Sequence, residues 1–253
     1  MISVVMLAYE EEDVIRRSLQ KATELADEIH VVDSYSDDAT AEIAESHGAT
    51  VHQREWQGYA DAWQYGFDRA EGDWILQLGA DEVLSDRLIR ELRAIDDDGA
   101  AHDGYRINRV NYAFGEPVEH WRNWAPIFFE RERGRMTDRA VHEHVTLDGE
   151  WGRIDAPLHH YTYDSVSEYL SKLDRYTRLE VEEIDGKPSM IRRYASPLKK
   201  TLSLLFRDRL VLDGTDGVFI AIMGGVYRYI ALYRAWLAAT GREDAAVATE
   251  DRK

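Results

Sequence analysis

The sequence contains no cysteine. Disulfide bonds, a thiolate nucleophile and a zinc site with thiolate ligands are therefore excluded. Positive charge is also scarce, because 31 Lys and Arg residues face 48 Asp and Glu residues and the formal net charge is −17. A general nucleic-acid binder needs a basic face, so this balance argues against that class of protein.

Lysine is especially rare, since only six of the basic residues are lysines and 25 are arginines. Few lysines beside many carboxylates are typical of proteins from salt-accumulating halophiles, in which salt screens the repulsion within an acidic surface. An acidic mesophilic protein is the alternative. We expect a haloarchaeal source, in which case the acidity reflects the habitat rather than a binding partner.

The chain also lacks a recognisable secretion signal. Residues 1–8 have no basic segment before their apolar run, and they predict a buried first strand instead. A length of 253 residues suits one large domain, or a domain with an extension. We therefore expect a cytoplasmic protein.

Strand-like and helix-like segments alternate over the first hundred residues. Strands are predicted at 3–8, 29–32, 50–52 and 74–78, and helices at 11–26, 39–47 and 59–70. This alternation predicts a doubly wound α/β sheet. Right-handed crossovers then place the ends of the first, second and fourth strands at one edge, here called the rim. Three acidic segments should lie on it: 10–12, 33–38 and 81–82.

The pattern changes twice further along the chain. Residues 104–164 predict more strands, with Trp121 and Trp124 in a loop between them, and residues 165–253 predict helices. We therefore divide the chain into 1–103, 104–164 and 165–253. The sequence His159-His160-Tyr161 is expected to begin the helical region in a structural role, and a contact to metal or acceptor is the alternative.

An apolar segment at 218–239 is long enough to span a membrane, but Arg228 and Arg234 interrupt it. Its tyrosines and Trp236 suit the headgroup layer of a bilayer. We interpret it as an interfacial or monotopic membrane contact. A helix packed on the domain and a true membrane span remain the alternatives.

Asp33 ends the second predicted strand, and a loop rich in Ser and Asp follows it. A carboxylate at this point can accept from the ring N–H of a uracil-like base, while loop hydroxyls and amides bind ribose or phosphate. Alternatively, Ser36 or Asp38 only caps the next helix. Capping alone does not explain Asp33.

Five segments in order resemble family 2 glycosyltransferases of the GT-A fold, particularly the branch that acts on lipopolysaccharide core or lipid-linked glycans. They are residues 8–12, residues 33–40, residues 72–74 with 80–82, residues 141–143, and the apolar segment after 212–214. The resemblance implies a mixed α/β sheet flanked by helices, with a C-terminal helical extension that associates with a membrane.

The resemblance also implies the reaction. A sugar would move with inversion from a nucleoside-diphosphate donor, UDP-linked by preference, to a dolichol- or polyprenyl-linked glycan or a surface polysaccharide. N-glycan or cell-surface glycan assembly would be the setting, on the inner face of the cell membrane. A GDP-sugar donor and a degenerate, non-catalytic scaffold are the alternatives.

Site residues follow from the same resemblance. The donor would be bound by Ala8, Tyr9, Glu11, Asp33, Ser34, Ser36, Gly58, Ala80 and Asp81. Asp81 and His142 would hold Mg²⁺ or Mn²⁺, and Glu143 would be the general base, with Glu82 as its competitor. Candidates for acceptor or phosphate contact are Arg122, Trp124 and Arg131.

Three positions depart from the family pattern. Gly79 replaces the first Asp of Asp-Ala-Asp-Glu, Glu10 replaces an Asn, and Trp63 stands where a cation is expected. The missing carboxylate and the missing cation are the reason that a weak or inactive enzyme remains a possibility.

Overall fold

The computed structural model describes residues 1–137 and 144–242. Their internal contacts divide them into two units. The sheet unit comprises Met1–Tyr112 and Arg122–Thr162, and the helical unit comprises Ala113–Trp121 and the chain from Tyr163 onward. The three-part division at 103/104 and 164/165 stays a prediction.

The main sheet has eight of the ten described strands. In chain order the strands are β1 Ile2–Ala8, β2 Glu28–Asp33, β3 Thr50–Gln53, β4 Trp74–Gly79, β5 Glu82–Leu84, β6 Gly104–Ala113, β7 Glu116–Glu130, β8 Gly134–Met136, β9 Val145–Leu147 and β10 Trp151–Tyr163. The sheet order is β3-β2-β1-β4-β7-β6-β10-β5, and β8 pairs with β9 separately.

The first four strands in this order are parallel, whereas β7 is antiparallel to β4 and β5 is antiparallel to β10. The mixed α/β sheet flanked by helices that the resemblance implied is therefore confirmed. The helices of the sheet unit are α1 Ile15–Leu25, α2 Thr40–Ser46, α3 Tyr59–Phe67 and α4 Asp86–Asp98.

Both faces of β1, β2 and β4 are mostly buried, as expected for strands covered by helices on two sides. The edge strand β3 is only partly buried. In β1, Val4 and Met6 belong to the larger hydrophobic cluster with α1 and α4, whereas Val5 belongs to a second cluster with α3. Trp63 is buried in this second cluster and stacks on Phe67 with ring centroids 6.0 Å apart. The residue that replaces the expected cation therefore packs in the core.

The helical unit contains α5 Val166–Leu179, α6 Met190–Leu202 and α7 Gly214–Ala238, with short 3₁₀ and π turns between them. Among the described residues, Leu210–Ala238 is the one helical stretch whose length and composition would allow it to cross a membrane. Inside this unit Ile220 and Leu232 of α7 are buried, so part of the helix is covered by protein.

Two predictions about elements are wrong. Trp121 and Trp124 lie within the long strand β7 rather than in a loop, and residues 159–161 lie on β10 rather than at the start of the helical region. In both cases strand pairing over long sequence separation overrides a weak local pattern.

Candidate functional site

The ends of β1, β2 and β4 meet at the rim. Leu7 of β1 is paired with Val32 on one side and with Gly79 on the other, and Ala8 is paired with Asp33. The segments that follow these three strands therefore start at the same level of the sheet. This arrangement confirms the predicted rim and brings two of the predicted donor-binding segments together.

Asp33 is fully buried at this level, and Ser36 fixes its carboxylate. The N–H of Ser36 donates to Oδ2 at 3.1 Å, and its hydroxyl donates to Oδ1 at 2.5 Å. Each carboxylate oxygen can accept more than one hydrogen bond, so the group is oriented but not saturated by Ser36. Ser34, the next residue after Asp33, donates its N–H to the carbonyl of Ala8 at 3.0 Å.

The loops after β1 and β2 are joined by hydrogen bonds from backbone to side chain. The N–H of Glu10 donates to Ser36 Oγ at 2.9 Å, and the N–H of Glu11 donates to Thr40 Oγ1 at 2.8 Å. Asp38 accepts from the N–H of Glu12 at 3.2 Å. Ser36 and Asp38 therefore bind the first loop to the second, beyond any role at the start of α2.

Partial burial tends to raise the pKa of Asp38, but hydrogen bonds from the side chain and backbone of Thr40 and from the N–H of Glu12 outweigh it and lower the pKa. The carboxylate form is thereby favoured in the folded protein. The second loop is held in place by a charged group that stays ionised under ordinary conditions.

Two residues on the rim have left-handed backbone conformations that are uncommon for side chains with a Cβ. They are Glu10, with φ 55°, and Tyr35, with φ 59°. Conformations of this kind cost free energy and concentrate at binding sites. Tyr35 and Tyr9 leave 53% and 51% of their surface exposed, so the loops after β1 and β2 each present an exposed aromatic ring.

Gly79 belongs to a tight turn that a larger residue would disturb. Its N–H donates to Glu82 Oε2 at 2.7 Å, and its carbonyl accepts from the hydroxyl of Ser18 at 3.1 Å. A Cβ on Gly79 would lie 2.9 Å from Oδ1 of Asp81 and 3.1 Å from Cγ of Glu82. A larger residue at this position would therefore require the side chains of Asp81 and Glu82 to shift.

Glu82 is buried, and each of its carboxylate oxygens has a partner within the protein. Its Oε1 lies 2.6 Å from Nη2 of Arg109, and its Oε2 accepts the hydrogen bond from Gly79. A general base needs a carboxylate oxygen within reach of the acceptor hydroxyl. This geometry favours a structural role for Glu82 over its competing assignment as the base.

Asp81 is turned toward His160 of β10. The Oδ2 atom of Asp81 lies 3.3 Å from Nε2 of His160, and Nδ1 of the same ring lies 2.7 Å from Oδ1 of Asn111. An amide oxygen only accepts, so Nδ1 carries a hydrogen in this contact. With the hydrogen on Nδ1, Nε2 is the ring nitrogen that remains for a metal ion, and it lies beside the carboxylate of Asp81.

The pair resembles a partial metal site. Hydrogen bonding of a histidine through its second nitrogen is the usual way in which a metal-binding imidazole is oriented. Mg²⁺ is commonly held by one or two protein ligands together with substrate phosphates. Over residues 1–137 and 144–242 no group of three or more His, Asp or Glu side chains is close enough to hold a metal alone.

His142 and Glu143, the expected second metal ligand and general base, lie outside the described residues. Gly58 begins α3 with φ 112°, in the loop that follows β3, and Ala80 is buried directly before Asp81. Both remain candidates for donor contact by position alone.

The candidates for acceptor or phosphate contact lie at opposite ends of strand β4. Because β7 is antiparallel to β4, with Leu76 paired with Phe128, residues before Phe128 lie toward the rim. Trp124 and Arg122 are therefore on the rim side. Arg131 is not, since its Nε donates to the carbonyl of Gly72 before β4 begins. Arg131 therefore lies away from the rim, and its assignment as an acceptor or phosphate contact stays a prediction.

Residues 3–147 match the family described as glycosyl transferase family 2. The match covers more than half of the chain and contains the whole rim formed by β1, β2 and β4. The chain belongs to glycosyl transferase family 2.

Two relatives extend the similarity beyond the matched segment. The lipopolysaccharide core biosynthesis glycosyltransferase LpsC of Rhizobium meliloti is 28% identical over 247 residues, which cover 90% of this chain and 89% of the relative. An uncharacterized glycosyltransferase of Rickettsia felis is 37% identical over 251 residues, with coverage of 91% and 88%. The protein is thus a glycosyltransferase whose family resemblance includes the helical region.

A solved structure shares the fold of this glycosyltransferase. The structure of S. aureus TarS 1–349 in complex with UDP-GlcNAc has a TM-score of 0.50 at 12% identity, and the alignment covers 95% of this chain and 92% of that one. At this identity the similarity supports the GT-A fold alone.

The sequence of this glycosyltransferase did not connect Asn111 or His160 with Asp81, and it favoured a structural role for His160. No local signal links either residue to Asp81, since the three come from β6, β10 and the turn after β4. The one available signal was that these polar residues interrupt segments of the chain with a strand-like apolar pattern.

Proposed function

We propose that the protein transfers a sugar, with inversion, from a UDP-linked donor to a lipid-linked glycan or a surface polysaccharide. The observation that carries the proposal is the placement of Asp33 and Asp81 on one rim, at the ends of strands that flank β1. Asp33, held by Ser36, would face the nucleoside, and Asp81 with His160 would hold the metal ion at the diphosphate.

For the donor, the buried carboxylate of Asp33 would accept the ring N–H of uracil, and Tyr9 or Tyr35 would cover the base. Hydroxyls and amides of the joined loops, including those of Ser34 and Ser36, would bind the ribose. A guanine base also offers ring N–H donors, so a GDP-sugar is the second candidate donor.

For the metal, Asp81 and His160 would hold Mg²⁺ or Mn²⁺, with His142 as a further ligand. The bound ion would stabilise the negative charge that develops on the leaving nucleoside diphosphate. Asn111 would keep His160 in the tautomer that leaves Nε2 available.

For the acceptor, Glu143 would remove the proton from the attacking hydroxyl on the face of the sugar opposite the leaving group. Arg122 and Trp124 lie on the rim side of β7 and would contact the acceptor or its phosphate. Glu82 would support the turn that carries Asp81 rather than act as the base.

For the setting, the name of the Rhizobium relative supports a role in the assembly of a surface glycan. We propose a cytoplasmic protein attached to the inner face of the cell membrane, where a lipid-linked acceptor is presented. The acidic, lysine-poor composition supports a haloarchaeal setting, in which N-glycan assembly would be the corresponding process.

The test is release of free nucleoside diphosphate by the purified protein in molar salt. A panel of UDP- and GDP-sugars is supplied with Mn²⁺ or Mg²⁺. We expect metal-dependent release of UDP from one donor, abolished by Asp81→Ala and retained by Asp86→Ala, which removes an exposed carboxylate on α4. Failure of every donor to bind or react, with no effect of Asp81→Ala, would favour the non-catalytic scaffold instead.

A further inference from the structure

Helix α6 of the helical unit has two distinct faces. One face packs on α7, where a Cβ on Gly225 would collide with the side chain of Thr201. Arg193 lies over the ring of Trp236 at 4.5 Å, and Nε of Arg228 lies 3.4 Å from Ser196 Oγ. These contacts fix which side of α6 points away from α7.

The opposite face is apolar and exposed. Ile191 leaves 79% of its surface accessible, and Leu198 leaves 61%. Further large apolar side chains are exposed on α6 and in the turns that follow it. They are Met190, Leu202, Phe206, Val211 and Leu212. Tyr194 is exposed as well, but it lies toward α7, since its ring centroid is 5.8 Å from that of Tyr229. A group of exposed apolar side chains of this kind marks an interaction site.

The same segment has a positive net charge, whereas the chain as a whole is strongly negative. Residues 190–212 contain six of the 31 basic residues but only one of the 48 acidic residues. Lys199 and Lys200 are exposed beside Leu198, and two of the six lysines of the whole chain are thus adjacent here. An excess of cations next to exposed apolar side chains is the composition of a helix that lies in the interface of an anionic bilayer.

We propose that residues 190–212 form a docking surface for an anionic lipid bilayer. The axis of α6 would lie in the plane of the interface, with the apolar side chains among the acyl chains and the cations at the headgroups. This inference rests on the membrane-bound acceptor of the proposed function but is independent of the transfer chemistry. It assigns the membrane contact to α6, whereas the sequence had assigned it to 218–239.

A second copy of the chain fits this surface less well. A symmetric dimer places the same patch of both copies face to face. The exposed cations of both copies, including Lys199 and Lys200, would then be brought together, and the repulsion would oppose the contact. Lipid headgroups with negative charge have the complementary sign, and each Lys or Arg near such a surface contributes about 1 kcal/mol at physiological salt.

Helix α7 is the competing surface, and it offers a matched comparison. Its exposed apolar side chains are fewer and include Ile222, which is 48% accessible, and Val226, which is 36% accessible. The experiment therefore compares two double variants of the full chain, Ile191→Glu with Leu198→Glu on α6, and Ile222→Glu with Val226→Glu on α7. Circular dichroism checks that each variant is folded.

The measurement is co-sedimentation with vesicles of equal parts phosphatidylglycerol and phosphatidylcholine, and with phosphatidylcholine alone. We expect the wild type to prefer the anionic vesicles, and the α6 variant to lose more than about tenfold in partitioning, since two side chains leave the apolar layer. The α7 variant should partition like the wild type. Lys199→Glu with Lys200→Glu should weaken binding at low salt, and the effect should fade in molar salt, where the Debye length is about 3 Å.

Loss of binding only in the α7 variant, equal binding to both vesicle types, or no binding at all would overturn the proposal. A change in oligomeric state of the α6 variant, measured by light scattering without lipid, would instead assign the surface to a second copy. Release of UDP in solution should be the same for wild type and α6 variant. If UDP is released but vesicles are not bound, only the docking proposal fails. If vesicles are bound but no UDP is released, only the proposed function fails.

Discussion

Glu82 and Arg109 form an ion pair of 2.6 Å between Oε1 and Nη2, and the side chain of Glu82 is only 4% exposed. Asp81 and Glu82, the two neighbouring acids after β4, therefore have different surroundings. Glu82 points into the fold toward Arg109, while Asp81 faces His160. The ion pair connects β5 to β6 and holds the turn that presents Asp81.

The first prediction concerns this ion pair. Arg109→Met should lower the free energy of unfolding by about 3 kcal/mol or more, because it leaves a buried carboxylate without a counter-ion. Glu82→Gln should cost less, since the amide oxygen still accepts from Gly79. The double variant should cost less than the sum of the two single ones, as measured by urea unfolding. Additive costs would show that the two groups do not stabilise each other.

The second prediction concerns the turn. Gly79→Ala should destabilise the protein by about 1–3 kcal/mol, because the new Cβ meets Asp81 and Glu82. Gly79→Asp, which restores the family pattern, should be at least as destabilising and should lower UDP release rather than raise it. Thermal unfolding and the release assay measure the two effects. A more active and equally stable Gly79→Asp protein would mean that the glycine is not required by the turn.

The third prediction concerns Asn111. Asn111→Ala removes the partner that orients His160, and loss of such a partner commonly costs about 10- to 100-fold in metal affinity. We expect this range for Mn²⁺ binding in the presence of UDP, measured by titration calorimetry, with a parallel rise in the Mn²⁺ requirement for UDP release. His159→Gln, on the adjacent residue that contacts Tyr112, is the control and should leave Mn²⁺ affinity unchanged. Equal Mn²⁺ affinities of the wild type, Asn111→Ala and His159→Gln would contradict the assignment of His160 as a metal ligand.

The fourth prediction concerns pH. Burial lowers the pKa of His159, so the unfolded chain binds a proton at this residue more readily than the folded one. Stability should therefore decrease as the pH falls through the unfolded value of about 6.5. His159→Gln should flatten this part of the stability profile, and the lowered pKa of His52 should account for some of the remaining slope.

The matched variant for pH is Tyr112→Phe, which removes the hydroxyl 3.1 Å from Nδ1 of His159 but keeps the imidazole. It should retain the slope, because burial rather than this hydrogen bond lowers the pKa. Unfolding midpoints measured at several pH values between neutral and acidic conditions provide the comparison. A His159→Gln profile as steep as that of the wild type would contradict the assignment.

The sequence by itself determined the alternating strands and helices of the first hundred residues, the rim and the positions of Asp33 and Asp81. These features depend on local periodicity and on the fixed handedness of crossovers, which require no knowledge of distant contacts. The family could be recognised from the same segments, because their order along the chain carries the resemblance.

Only the tertiary structure decided what the individual polar residues face. Glu82 meets Arg109, and Asp81 meets His160 and through it Asn111, because β5, β6 and β10 come together at the far end of the sheet. Contacts between residues so far apart along the chain leave no local pattern in the sequence. The sequence also did not predict the exposed apolar face of α6. Which side of this helix is exposed depends on its packing against α7, which is a tertiary contact.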